Sequence, residues 1–245
     1  MDNNPELSII IPCLNEEENI ETILSQLLKV MSGTSIAFET LVLDDLSEDT
    51  TFKIAQESIS KYTDLNIRVI RRYQPRRGYG AIVRYGMAHA TGKYCIFVAA
   101  DGVDPIELIP QFLEKMRNGA DLVQCSRYLN QGDATTIPFK YKFYQVIFRF
   151  LLRVLLGENI RDSTYAFKMF NKIELMALGL SQNRFSISPE ITFKILLSGG
   201  KIEYVAAGQG VRARGESKFI FMKEAKGYIY VLLRAWLHRI GILWF

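Results

Sequence analysis

Ile9-Ile10-Ile11-Pro12-Cys13-Leu14-Asn15-Glu16 is an apolar run that ends in acid, and two more follow: Leu41-Val42-Leu43 into Asp44-Asp45, and Ile96-Phe97-Val98 into Asp101. Runs of this kind suit buried strands of an open parallel sheet, where a ligand sits outside the carboxyl ends of the strands. Acids collected at those ends face one crevice. Carboxylates accept hydrogen bonds from ribose hydroxyls or a base N–H, and they can hold a divalent cation that offsets a diphosphate. The spacing points to a bound nucleotide.

Working outward, the pattern predicts strands near 7–12, 38–44, 66–70, 94–99 and 121–126, alternating with helices over 17–30, 49–61, 79–90 and 105–117. Such alternation builds βαβ units and a doubly wound, mainly parallel α/β sheet. Asn15 is suited to cap the first helix, with Glu17 and Glu18 in its opening turn; Pro105 suits a first helical position and Gly119 a helix stop. Beyond 126 the pattern changes to a polar loop over 130–136, a basic aromatic helix over 139–156, helices near 171–179 and 187–198, strands near 202–206 and 210–214, and a last helix from about 219. The expected division is a domain over 1–215, with a nucleotide-binding half (1–128) and an acceptor half (129–215), followed by an amphipathic segment over 216–245.

With 245 residues the chain can bury one sizeable core, and its net charge of +4 is concentrated in 71–77, 140–153, 212–218 and 223–239. Cys13, Cys95 and Cys125 lie in apolar runs without metal-ligand spacing, which predicts buried free thiols in a reducing compartment. The Met-Asp-Asn-Asn start carries no secretory pattern, so the expected place is the cytoplasmic side. No stretch reaches the ~20 uninterrupted apolar residues of a spanning helix. Nucleic acid is excluded as a partner, because the basic patches sit among long aliphatic side chains. His89 stands without a second ligand and reads as structural.

Stepping about 100° per residue puts Lys142, Gln145, Arg149 and Arg153 on one stripe of the basic helix, with Phe143, Ile147, Phe148, Phe150, Leu151, Val154 and Leu155 around the rest. On the last helix Lys223, Lys226, Tyr230, Arg234 and His238 share a face, largely opposite Val231, Leu232, Leu233, Trp236 and Leu237. Together these predict peripheral attachment to a membrane surface. A homodimer contact or a membrane partner subunit competes for the same apolar area. Asp44-Asp45 needs a ligand, a cation or a basic partner to offset its mutual repulsion. Gly78 and Gly80 open a helix that can hold phosphate, with Arg71, Arg72, Arg76 and Arg77 beside it, or they serve a tight turn.

Eight strings in order carry a resemblance: Ile11-Pro12-Cys13-Leu14-Asn15-Glu16, Leu43-Asp44-Asp45-Leu46-Ser47-Glu48-Asp49-Thr50, Arg77-Gly78-Tyr79-Gly80-Ala81, Ala90-Thr91-Gly92-Lys93-Tyr94, Ala99-Ala100-Asp101-Gly102-Val103-Asp104-Pro105, Ser126-Arg127-Tyr128, Asp162-Ser163-Thr164-Tyr165-Ala166-Phe167-Lys168 and Gly215-Glu216-Ser217-Lys218. Over about 7–220 the chain resembles the inverting family 2 glycosyltransferases of GT-A fold, in the polyprenyl-phosphate sugar synthase branch typified by dolichol-phosphate mannose synthase. The resemblance implies a nucleotide-sugar donor and a lipid monophosphate acceptor. It implies that Pro12, Leu14 and Glu16 line the nucleoside pocket, that Asp44 and Asp45 stand near the base or ribose, and that Arg77, Gly78 and Ala100 lie on the donor side. Asp101 is then the second acid of an Asp-x-Asp motif, facing Mg2+ or Mn2+ and the diphosphate, and Arg127, Arg212 and Lys218 handle phosphates.

One departure stands out: Ala99 and Val103 occupy the positions of the motif's first acid and of a polar residue that completes the metal shell. Asp101 alone, or with Asp104 unless that residue caps the next helix, would have to hold the cation; otherwise Arg or Lys replaces it, or turnover is lost and a nucleotide-sugar binder remains. A phosphate monoester is already ionised near neutral pH and needs no strong base. A hydroxyl or soluble acceptor would need one, with Asp162 or Glu190 the first candidates.

Overall fold

The computed structural model describes residues 4–74, 77–127, 139–206 and 221–245, with backbone alone for 139–141 and 221–223. The three apolar runs lie side by side. β1 (Leu7–Cys13) pairs in parallel with β2 (Phe38–Asp44) on one edge and with β4 (Tyr94–Phe97) on the other, and β2 pairs in parallel with β3 (Ile67–Arg71). With β5 (Leu122–Ser126), β6 (Lys168–Asn171) and β7 (Ile202–Ala206), the described strands form one sheet of order β3-β2-β1-β4-β6-β5-β7. Its strand order reverses at β1 and β4, the place where an open sheet offers a crevice.

Side chains alternate across β1, and the two faces are covered accordingly. Leu7, Ile9, Ile11 and Cys13 pack with α1 (Ile20–Met31) and α4 (Ile109–Arg117), while Ile10 packs with α3 (Tyr79–His89) and α7 (Ile187–Leu197). α1 buries Ile20, Ile23, Leu24, Leu27 and Met31 at three- and four-residue steps. Each such side chain contributes roughly 1.5–3 kcal/mol of burial. α2 (Thr51–Lys61) lies against β3, and α6 (Lys172–Ala177) follows β6. A third cluster joins α5 (Phe139–Leu156) and α8 (Phe221–Arg239) through Phe148, Leu152, Leu156, Tyr228, Val231, Leu232 and Ala235.

Several expectations are corrected. α1 begins at Ile20, not 17, and Asn15 does not cap it; at φ 50° Asn15 stitches two loops, its N–H donating to Ser47 Oγ (2.9 Å) and its Oδ1 accepting the Glu48 N–H (2.9 Å). Pro105 precedes a single 3-10 turn, Ile106–Leu108, and Pro110 holds the first turn of α4. β6 was not expected, and it runs antiparallel to both neighbours. The polar stripe of α5 is not all outward: Arg153 is exposed, and Lys142, Gln145 and Arg149 are half-buried. Gln145 turns inward to donate to Thr164 Oγ1 (2.5 Å), whereas Phe143, Val146, Phe150 and Val154 are exposed. The strand expected near 210–214 lies outside the described residues. Among those described, no helix is long and apolar enough to cross a membrane.

Candidate active site

The loops after β1 and β2 are knitted together. The Glu16 N–H donates to Thr51 Oγ1 (2.8 Å), and the buried Glu16 carboxylate accepts from Asn19 Nδ2 (2.8 Å). Pro12 and Leu14 flank it, half-buried. Asp44 and Asp45 are both buried, and each meets an arginine from the end of β3: Arg71 Nε lies 3.0 Å from Asp44 Oδ2, and an Arg72 terminal nitrogen 2.6 Å from Asp45 Oδ1. The parallel register sets Asp44 opposite Arg71, so the repulsion between the acids is answered by basic partners. Arg71 and Arg72 thus each hold a carboxylate. Arg77 is exposed beside Gly78, and Arg76 lies outside the described residues.

The start of α3 links these acids to those after β4. Gly78, at φ 134°, donates its N–H to Asp45 Oδ2 (3.4 Å). A β-carbon at Gly78 or Gly80 would collide with the Asn183 or Gln182 carbonyl oxygen, and Ala81 N–H already donates to Asn183 O (3.3 Å). The two glycines let the helix press against 182–184. Tyr79 stacks on Phe185 (5.0 Å between centroids). Burial first, then the charges of Asp104 and Asp101 close by, push its phenol far up. Asp45 and Asp101 thus flank one helix start.

In the loop after β4, Asp101 is half-buried and its Oδ1 accepts the Val103 N–H (3.3 Å). Asp104 caps no helix: its Oδ2 accepts the Ala99 N–H (2.7 Å). Burial, seconded by Asp101, raises the Asp104 carboxyl to about 7, against the Ala99 N–H, which favours the anion. Ala100 faces the core.

Across this loop stands Arg127, at the end of β5. It forms a two-pronged pair with Asp162, Nε to Oδ2 at 2.7 Å and a terminal nitrogen to Oδ1 at 3.0 Å, donates to Thr164 Oγ1 (3.1 Å), and lies 4.8 Å over the Tyr165 ring. The Tyr165 hydroxyl reaches the Val103 carbonyl oxygen (3.5 Å) and Asp104. Burial would raise the Asp162 carboxyl, but the Arg127 charge and hydrogen bonds hold it below the usual range. Beneath lies Lys168, fully buried, donating to Ser163 O (2.8 Å), Ser188 O (2.7 Å) and Thr192 Oγ1 (2.6 Å). Burial holds its ammonium well below its ordinary pKa, although nearby Asp162 favours the charge.

Asp162 is locked on Arg127, and Glu190 accepts from Ser181 N–H and Oγ and from Gln182 N–H, so neither is poised as a base for a hydroxyl acceptor. His89 is structural, its Nδ1 2.8 Å from Tyr85 O. The cysteines are free and buried. Arg212, Lys218 and Lys140 lie outside the described side chains. Tyr79, Thr164, Tyr165 and Lys168 join the centre unannounced, although three of them stand in the Asp162–Lys168 string.

Residues 8–177 match the model of the glycosyl transferase family 2. The chain is 34% identical over 215 residues to a dolichol-phosphate mannosyltransferase of Pyrococcus furiosus, covering 87% of this chain and 59% of that one. It is 28% identical over 181 residues to a dolichyl-phosphate beta-glucosyltransferase of Dictyostelium discoideum, covering 69% and 55%. It spans less than two thirds of these relatives' lengths. Among solved structures, glucosyl-3-phosphoglycerate synthase from Mycobacterium tuberculosis with UDP superposes at a TM-score of 0.69, with 20% identity, over 98% of this chain and 81% of that one. Its complex with Mn2+, UDP and phosphoglyceric acid gives 0.66 and 22%, over 98% and 80%. These likenesses show the GT-A fold that the strand order already describes. With the family model covering more than half its length, the chain belongs to the glycosyl transferase family 2.

Proposed function

We propose that the chain moves a sugar from a nucleotide-activated donor to a polyprenyl monophosphate, with inversion, at a membrane surface. The relatives named for dolichyl-phosphate sugar transfer support this, and one observation carries it. Thr164 accepts hydrogen bonds from both Arg127 and Gln145, which places the basic centre one side chain away from a helix whose outer face exposes Phe143, Val146, Phe150 and Val154. A lipid phosphate needs that combination, a cation in the crevice beside an apolar surface. Lys226 and Arg153 are exposed on the same pair of helices, where anionic head groups would meet them. Three buried free thiols fit the cytoplasmic side of the bilayer.

In this reading the donor lies across the tips of β1, β2 and β4, with Pro12, Leu14 and Glu16 at the nucleoside and Asp101 toward the diphosphate. Asp44 and Asp45, paired with Arg71 and Arg72, shape that pocket. Asp162 and the Tyr165 ring hold Arg127 in one orientation, so its charge faces the acceptor without reorganising. An acceptor phosphate oxygen attacks the anomeric carbon as the bond to the nucleoside diphosphate breaks. The nucleophile is an anion already, so no proton need be removed. The residues around Asp101 do not fit Mg2+ or Mn2+, since Ala99 and Val103 carry no side-chain oxygen.

The test is transfer of labelled sugar from UDP-glucose or GDP-mannose to a short polyprenyl phosphate in detergent. Label in the lipid phase is the expected result. Transfer to soluble acceptors alone would overturn the reading, and nucleotide binding without any transfer would mark a non-catalytic binder, the alternative that Ala99 and Val103 raise.

A further inference from the structure

Resting on the donor-binding reading above, we infer that this chain grips the donor diphosphate without a cation held by the protein. A hard divalent cation takes about six oxygens. Asp101 can offer part of one carboxylate, its Oδ1 being shared with the Val103 N–H at 3.3 Å. Two residues to either side, Ala99 and Val103 present only hydrocarbon side chains. Asp104 does not make up the loss, because its Oδ2 is turned inward onto the Ala99 N–H at 2.7 Å and its side chain is buried. Asp44 and Asp45, the acids on the other side of the α3 start, are held by Arg71 and Arg72. Among the described residues, no group of three or more His, Cys, Asp or Glu is placed to hold an ion.

One carboxylate adds little to the affinity that a nucleoside diphosphate has for a cation by itself. The charge on the leaving group then falls to cationic side chains. Arg77 is exposed next to Gly78, whose N–H meets Asp45, and is the candidate cation for the donor side. A guanidinium fork suits two phosphate oxygens.

Calorimetric titration of the whole chain with UDP and with GDP, each in EDTA and in excess Mn2+, tests this. For whichever nucleotide binds, the affinity is expected to change less than about threefold between the two conditions. The Ala99→Asp, Val103→Gln double variant is expected to gain about tenfold or more in Mn2+, with an unchanged melting temperature. Loss of the Mn2+ electron paramagnetic resonance signal should accompany binding in the variant and not in the native chain. A native affinity raised tenfold by Mn2+ and returned to the EDTA value by Asp101→Asn would overturn the inference. No binding of either nucleotide under any condition would remove the donor reading itself, and this inference with it.

Discussion

Arginine–aspartate pairs hold the crevice on both sides, and Arg72–Asp45 on one side differs from Arg127–Asp162 on the other in what it leaves open. Arg72 and Asp45 are both sealed, with side chains 1% and 4% exposed, and they join neighbouring parallel strands. Asp162 is sealed as well, but its partner Arg127 keeps 13% exposure and lies between Tyr165, Thr164 and the acid loop. The first pair is sealed from solvent and works as a clasp between the loops that follow β2 and β3. The second holds a cation at the edge of the crevice, where an anion can reach it. In the proposed reading the same chemistry serves structure on one side and recognition on the other, and burial of the cation decides which.

Truncating each arginine should separate these roles. Arg72→Ala strands the Asp45 carboxylate in the interior and is expected to cost about 3–5 kcal/mol in urea unfolding. Arg127→Lys keeps the charge but loses the fork; lipid transfer should fall roughly 10²–10³-fold, with a smaller loss of stability. An Arg72→Ala chain as stable as the native one, or an Arg127→Lys chain that still turns over, would erase the distinction.

The donor side was largely legible in the sequence, because its strands are continuous apolar runs and its acids follow them directly. The role of Arg71 and Arg72 was not, since only the β2–β3 register sets Arg71 opposite Asp44 and brings Arg72 to Asp45 just beyond it. On the acceptor side the sequence hid more. β6 is four residues long and opens with Lys168, a charge that a buried strand tolerates only because three oxygens from 163, 188 and 192 receive it. Four residues carry no readable period. Helical spacing identified the polar stripe of α5, but which face meets the protein depends on Thr164, a residue 19 positions further on.

Asp104 and Asp162 sharpen the comparison through pH. The Asp104 carboxyl titrates at about 7 when folded, against 3.8 as its ordinary value, so the folded chain holds a proton that the unfolded chain has released. Its contribution is full below the ordinary value and is lost as pH rises through 7. Asp162 has the opposite sign. Held below 3.8, it stabilises at higher pH, and that stability is lost only as pH falls through its folded pKa. Between about pH 4.5 and 7.5 the Asp162 contribution is constant. The advantage of the native chain over Asp104→Asn, whose Oδ1 can still accept the Ala99 N–H, should therefore shrink by up to a few kcal/mol across that window. Urea midpoints at the two ends give the answer, and a pH-independent difference would mean that Asp104 is ionised throughout.

The smallest effect on stability is expected where the apolar surface faces outward. Phe150 and Val154 are 64% and 61% exposed on α5, while Phe148 and Leu152 on the same helix are buried against α8. Phe150→Glu with Val154→Glu should shift unfolding by no more than about 0.5 kcal/mol per site, because neither side chain leaves a packed position. The same change removes apolar area and adds negative charge where anionic head groups would lie, so sedimentation with anionic vesicles should be lost while nucleotide binding holds. Gln145→Leu makes the complementary cut, keeping the outer face and severing the tie to Thr164; vesicle binding should persist while lipid transfer drops. If the glutamate pair instead leaves vesicle binding intact and halves the mass seen by light scattering, the exposed face belongs to a second copy of the chain. The apolar surface beside Arg127 would then have nothing to do with where the acceptor comes from.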